Sequence, residues 1–169
     1  MFDALTFQRA AHLLHAHNHP LAARLVTRVA RHLFGTYLAP ETEIGAGTEL
    51  GYGGIGIVIH KDARIGRDVL VSPGVVIGGR SGLPGAPDIA DRVKIGAGAK
   101  VLGPIKVGEG AFIGANAVVI HDVAAGDVVV GIPARPIARR LKVMDGGEVS
   151  ASEPAVGATV DPRSRQGTG

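Results

Sequence analysis

With 169 residues the chain is sized for one domain and a small appendage, and its excess of three positive charges is too dispersed to mark a nucleic-acid surface. The absence of cysteine excludes disulfides, thiolate zinc sites and a cysteine nucleophile. Aromatics make up only 4% of a chain that is 46% hydrophobic with 26 glycines, so the core must be built from thin, regular aliphatic layers with glycine at recurring corners.

The first residues lack the charged-then-apolar layout of a secretion signal, and no long apolar run occurs. A cytoplasmic protein without a membrane span is expected. A first helix is predicted around residues 4–16, and His19-Pro20 separates it from a second. In the second, Leu21, Leu25, Val29 and Leu33 form an apolar stripe opposite Arg24, Arg28 and Arg31. The two helices are expected to cap the following domain and cover its open edge, giving a cap over residues 1–38. A basic amphipathic helix lying on a membrane is the alternative reading. His12, His15, His17, His19 and His32 fall in this cap and read as solvated.

From residue 42 onward an aliphatic residue recurs, mostly every six positions. The series runs Ile44, Leu50, Ile59, Ile65, Val71, Ile77, Ile89, Ile95, Val101, Val107, Ile113 and Val119. Many are followed by glycine, and a small or branched residue often stands two before. A period of six matches neither a helix nor a plain alternating strand; it describes a short strand with one inward side chain, then a turn. Three such units close a triangular coil, and the chain supports a prism of about four coils over residues 39–144. The remaining residues, 145–169, lack periodicity and read as a disordered tail.

Naming the faces of Ile44, Leu50 and Ile59 one, two and three fixes what shares a corner. Two steps exceed six: Gly51–Gly56 carries three extra residues and Arg80–Pro87 six, both keeping the phase. The corner leaving face three then holds His60, the Arg80–Pro87 loop, Gly103-Pro104 and His121 in successive coils. His60 is expected about one strand spacing, roughly 5 Å, from the root of the loop, and His121 about three spacings from His60.

Five segments carry a resemblance: Gly56–Ile59, Gly78-Gly79, Ile95–Lys100 (IGAGAK), Ile113–Val119 (IGANAVV) and Gly131–Arg135 (GIPAR). Together they resemble the serine acetyltransferase group of hexapeptide-repeat acyltransferases, and the related sugar and polysaccharide O-acetyltransferases, over about residues 40–140. The resemblance implies a left-handed parallel β-helix, a homotrimer, an acetyl-CoA site in the groove between neighbouring subunits, and no metal. It also implies a histidine that takes the proton of a small-molecule hydroxyl acceptor, a role suited to imidazole. By position, Ala97 and Ala115 would lie along the pantetheine arm, Gly79 and Arg80 beside the thioester, and Arg135 and Lys142 near the cofactor phosphates.

The chain departs from that family at its two histidines: neither Leu50–Gly56 nor Gly78–Asp88 contains one. His60, at the corner beside the inserted loop, is the replacement candidate for general base, with a plain corner residue as the competing reading. His121 is a weaker candidate. Tyr52 stands near a missing histidine and is read as a substrate-binding residue, as is Asp88; Asp62 or Asp88 could orient His60. The short segment before the coils and the C-terminal Gly169 in place of isoleucine argue against a sulfhydrylase partner. A non-catalytic hexapeptide scaffold is the alternative function, and a three-histidine metal site would need help from the cap.

Overall fold

The structure, a computed structural model, describes residues 3–137. It opens with two helices, α1 (Ala4–Ala16) and α2 (Pro20–Phe34). Asp3 caps α1 by accepting the Thr6 amide at 2.8 Å and the Thr6 hydroxyl at 2.7 Å. Pro20 opens α2, where a missing N–H costs nothing, and Gly35 closes it in the left-handed conformation that glycine adopts freely.

Fifteen short strands follow, three to each of the first four coils. The first coil holds β1 (Tyr37–Leu38), β2 (Glu43–Ile44) and β3 (Glu49–Leu50). The second holds β4 (Val58–Ile59), β5 (Arg64–Ile65) and β6 (Leu70–Val71), and the third β7 (Val76–Gly78), β8 (Asp88–Ile89) and β9 (Lys94–Ile95). The fourth holds β10 (Lys100–Leu102), β11 (Lys106–Val107) and β12 (Phe112–Ile113), and a partial turn beyond it holds β13 (Val118–Val119), β14 (Val128–Val130) and β15 (Arg135–Pro136). They stack into three sheets: β2-β5-β8-β11 forms face one, β3-β6-β9-β12-β14-β15 face two and β1-β4-β7-β10-β13 face three. All pairs are parallel except β14 with β15, which turns back and closes the far end. The molecule is a left-handed parallel β-helix of about four coils beneath a helical cap.

The periodic aliphatics are the core. Leu50 and every later member through Val119 are buried, and Ile44 is half-buried at the end of the prism. A second inward row lies two residues earlier: Ile57, Ala63, Val69, Val75, Val93 and Ala99 are likewise buried. In the first coil that row is threonine. Thr36, Thr42 and Thr48 donate their hydroxyls to the carbonyls of Ile57, His60 and Gly66 at 2.6, 3.1 and 2.8 Å. Threonine fills the space of a valine there while tying the terminal coil to the next.

The cap closes the first coil differently from the sequence expectation. Leu21, Leu25, Val29 and Leu33, the apolar stripe of α2, are exposed. The helix instead turns Ala23 and Ala30 inward, with Phe34 packing edge-on against Phe7 of α1 at 5.8 Å between ring centres. Small residues let two helices approach closely, so the inner face of α2 needs no large side chain. The coil itself is met by α1. Gln8 donates to the Thr42 carbonyl at 3.0 Å and His12 Nδ1 to the Pro40 carbonyl at 2.8 Å, so His12 is a closing residue rather than a solvated one.

Candidate functional site

Residues that share a corner of the prism form a column, and two columns carry the candidate chemistry. At the corner between faces three and one, the His60 amide donates to the Ile77 carbonyl at 2.9 Å, joining His60 to the strand that leads into the inserted loop. The loop is a compact turn in which the Leu83 amide donates to the Arg80 carbonyl at 3.0 Å. It leans toward the following coil: a β-carbon on Gly85 would sit 3.1 Å from Pro104, and one on Gly103 would sit 3.4 Å from Arg80. Gly79 and Arg80 are exposed on this corner, with Arg80 directed away from His60. His121 lies three strand steps from His60 along face three.

The His60 ring is 40% exposed. Its Nδ1 accepts the Asp62 amide at 3.2 Å and lies 3.7 Å from the Asp62 carboxylate. Asp62, rather than Asp88, is therefore the carboxylate beside the ring. An accepting Nδ1 leaves the proton of a neutral imidazole on Nε2. For Nε2 to receive a proton, Nδ1 must carry one and turn it toward the Asp62 carboxylate.

Beside His60, face one presents a depression of about 350 Å3 lined by Glu41, Glu43, Lys61, Asp62, Arg64 and Asp88, among others. Its charges alternate along the sheet. Glu43 registers with Arg64 and Arg64 with Asp88, and the Arg64 Nε lies 3.8 Å from the Glu43 carboxylate. Asp88 thus belongs to this depression. In the sequence this row is the residue that precedes each inward aliphatic of face one: Glu43, Arg64, Asp88 and Lys106.

The second column follows the corner between faces two and three. Ala97 and Ala115 are exposed and stacked, the Asn116 amide donating to the Ala97 carbonyl at 2.8 Å and the Gly98 amide to the Pro73 carbonyl at 2.9 Å. Between β9 and β13 this edge presents Gly96, Ala97, Gly98, Gly114 and Ala115, so an extended chain can lie against the backbone there. The column ends at the Gly131–Ala134 turn, after which Arg135 is exposed. Tyr52 is on this corner too, 86% exposed, in a tight turn with left-handed φ of 52°. Gly54 of the same turn fits closely beneath α1, where a β-carbon would come within 2.8 Å of Ala4. Lys142 lies outside the described residues.

The two columns do not meet within one chain. His60, Gly79 and Arg80 stand on one edge of face three, and Tyr52, Ala97, Ala115 and Arg135 stand on or beside the other. Among the described residues no three metal-ligating side chains converge.

Residues 87–121 match the family described as bacterial transferase hexapeptide (six repeats). The chain is 41% identical over 138 residues to a serine acetyltransferase of Helicobacter pylori, covering 80% of each protein. It is 39% identical over 160 residues to a serine acetyltransferase of Synechococcus elongatus, covering 92% of this chain and 65% of that one. A solved serine acetyltransferase in complex with CoA superposes with a TM-score of 0.74 at 34% identity, over 79% of this chain and 55% of that structure. The chain therefore spans about two thirds or less of the length of some of these relatives.

Proposed function

Since the chain belongs to the serine acetyltransferase family, we propose that it transfers an acetyl group from acetyl-CoA to the hydroxyl of serine or a similar small metabolite, in a site completed between two copies. One observation carries this reading. The two half-sites lie on the two edges that bound the same face, and that face is the least charged of the three.

The outward residues of face three are Tyr37, Val58, Val76, Lys100 and Val118, and the single lysine bends back to the Gly98 carbonyl at 2.8 Å. Face one presents Glu43, Arg64, Asp88 and Lys106 instead. In a cyclic trimer packed through face three, the Ala97–Ala115 edge of one copy runs beside the His60 edge of the next. The residues suit acetyl-CoA so placed: methyl groups and backbone along the pantetheine arm, with Arg135 beyond the last coil for phosphate. The depression beside His60 offers both signs of charge, as the ammonium and carboxylate of serine require.

The reaction balances simply. His60 takes the hydroxyl proton, the oxygen forms a bond to the acetyl carbonyl carbon, the carbon–sulfur bond breaks, and the proton passes to the departing thiolate. Asp62 orients the ring and steadies it while protonated.

The test is acetyl-CoA-dependent thiol release with serine and a panel of sugars. Turnover with one acceptor, reduced at least about 10²-fold by His60→Ala, is the expected result. Acetyl-CoA binding with unchanged turnover in the variant would remove His60 from the mechanism. No binding of acetyl-CoA would leave a non-catalytic scaffold.

A further inference from the structure

The exposed stripe of α2 has no counterpart in the chemistry above, and it stays uncovered among the described residues. Leu21, Leu25, Val29 and Leu33 are 78, 63, 42 and 64% exposed. Spaced four apart, they follow one side of the helix, while the inner side is already closed by Ala23 and Ala30. Four large aliphatics turned outward take no part in the core of the described residues, and solvent disfavours them.

We propose that α2 docks on a bilayer surface carrying anionic lipid, its leucine stripe immersed at the headgroup boundary and its arginines against the phosphates. The charge around the stripe selects this occupant. Arg24, Arg28 and Arg31 are exposed along one flank, α2 contains no acidic residue, and none of the three has an ion-pair partner among the described residues. The neighbouring α1 adds Arg9, and Asp3, the one acidic residue preceding it, is occupied in capping. A second copy meeting this face through its own α2 would bring three arginines against three with no carboxylate between them. An anionic bilayer offers hydrocarbon to the stripe and negative charge to its flank at once. At 15 residues the helix is too short and too polar to span, and no helix of the described residues is long and apolar enough to cross a membrane.

The full-length protein is to be sedimented with vesicles of phosphatidylcholine alone and of phosphatidylcholine mixed with phosphatidylglycerol, over a range of salt. Co-sedimentation with the mixed vesicles only, weakening as salt rises, is expected. Combined Arg24→Ser, Arg28→Ser and Arg31→Ser substitutions should lower the partition coefficient roughly 100-fold, and Leu25→Glu with Leu33→Glu should abolish it. Both sets lie outside the core, so circular dichroism and native mass should not change. Failure of the wild-type protein to bind phosphatidylglycerol vesicles overturns the proposal, as does equal binding by the two variants. A fall in native mass in the leucine variant, with the wild type remaining off the vesicles, would assign the stripe to a second copy instead.

Discussion

At the scale of single residues, the orientation of one imidazole decides what it can do. The His60 Nδ1 accepts a backbone N–H, and the Asp62 carboxylate, which in the proposed mechanism would accept a hydrogen bond from a protonated Nδ1, is 3.7 Å away. Asp62→Ala keeps the amide contact and removes only the carboxylate. It should lower kcat about tenfold or more with little change in the KM for acetyl-CoA, read in the thiol-release assay. Glycine matters at this scale for a different reason. A β-carbon on Gly96 would stand 2.6 Å from the Ala115 backbone nitrogen of the next coil, an atom that cannot move without shifting the coil. Gly96→Ala should cost about 1–3 kcal/mol in thermal or denaturant unfolding, the usual range for overpacking.

At the scale of elements, each strand is only two or three residues long and has no stability of its own. Stability comes from stacking, so the ends are where special residues appear: the threonine row below and the returning strand β15 above. The cap depends on α1, whose first turn is held by Asp3. Partial burial would raise the Asp3 carboxyl, but the hydrogen bonds from Thr6 outweigh it and hold the group below its ordinary value. A depressed carboxyl stabilises the fold above its unfolded titration range and loses that contribution as pH falls through its folded value. Asp3→Ala should therefore cost about 1 kcal/mol at neutral pH, and the difference from wild type should shrink in acid, as followed by thermal unfolding across pH.

At the scale of the whole molecule, the proposed site needs two copies, which gives the assembly a distinctive signature. His60→Ala disables one edge of face three, and Ala115→Trp blocks the other. Each variant alone should be inactive. Co-expressed in equal amounts, they should recover about a quarter of wild-type turnover, the share of interfaces that pair two intact edges in a cyclic assembly. Zero recovery would confine the site to one chain. Native mass by light scattering should report three chains, with Val58→Glu and Val76→Glu reducing it to one.

The inward row, the three faces, the corner shared by His60 and the loop, and the places of both insertions were all determined by the sequence. The reason is local: a period of six assigns one inward residue to each strand, and insertions in multiples of three preserve the phase. The two helices were equally legible, from the break at His19-Pro20 and the four-residue spacing of Leu21, Leu25, Val29 and Leu33. Only the tertiary structure decided which side of α2 is buried, because periodicity identifies an apolar face but not the side on which the core lies, and Ala23 and Ala30 pack closest. It also decided that Asp62 is the carboxylate at His60 and that the candidate residues stand on two separate edges of face three. Those facts depend on distances between coils and on side-chain orientation, which no one-dimensional period contains.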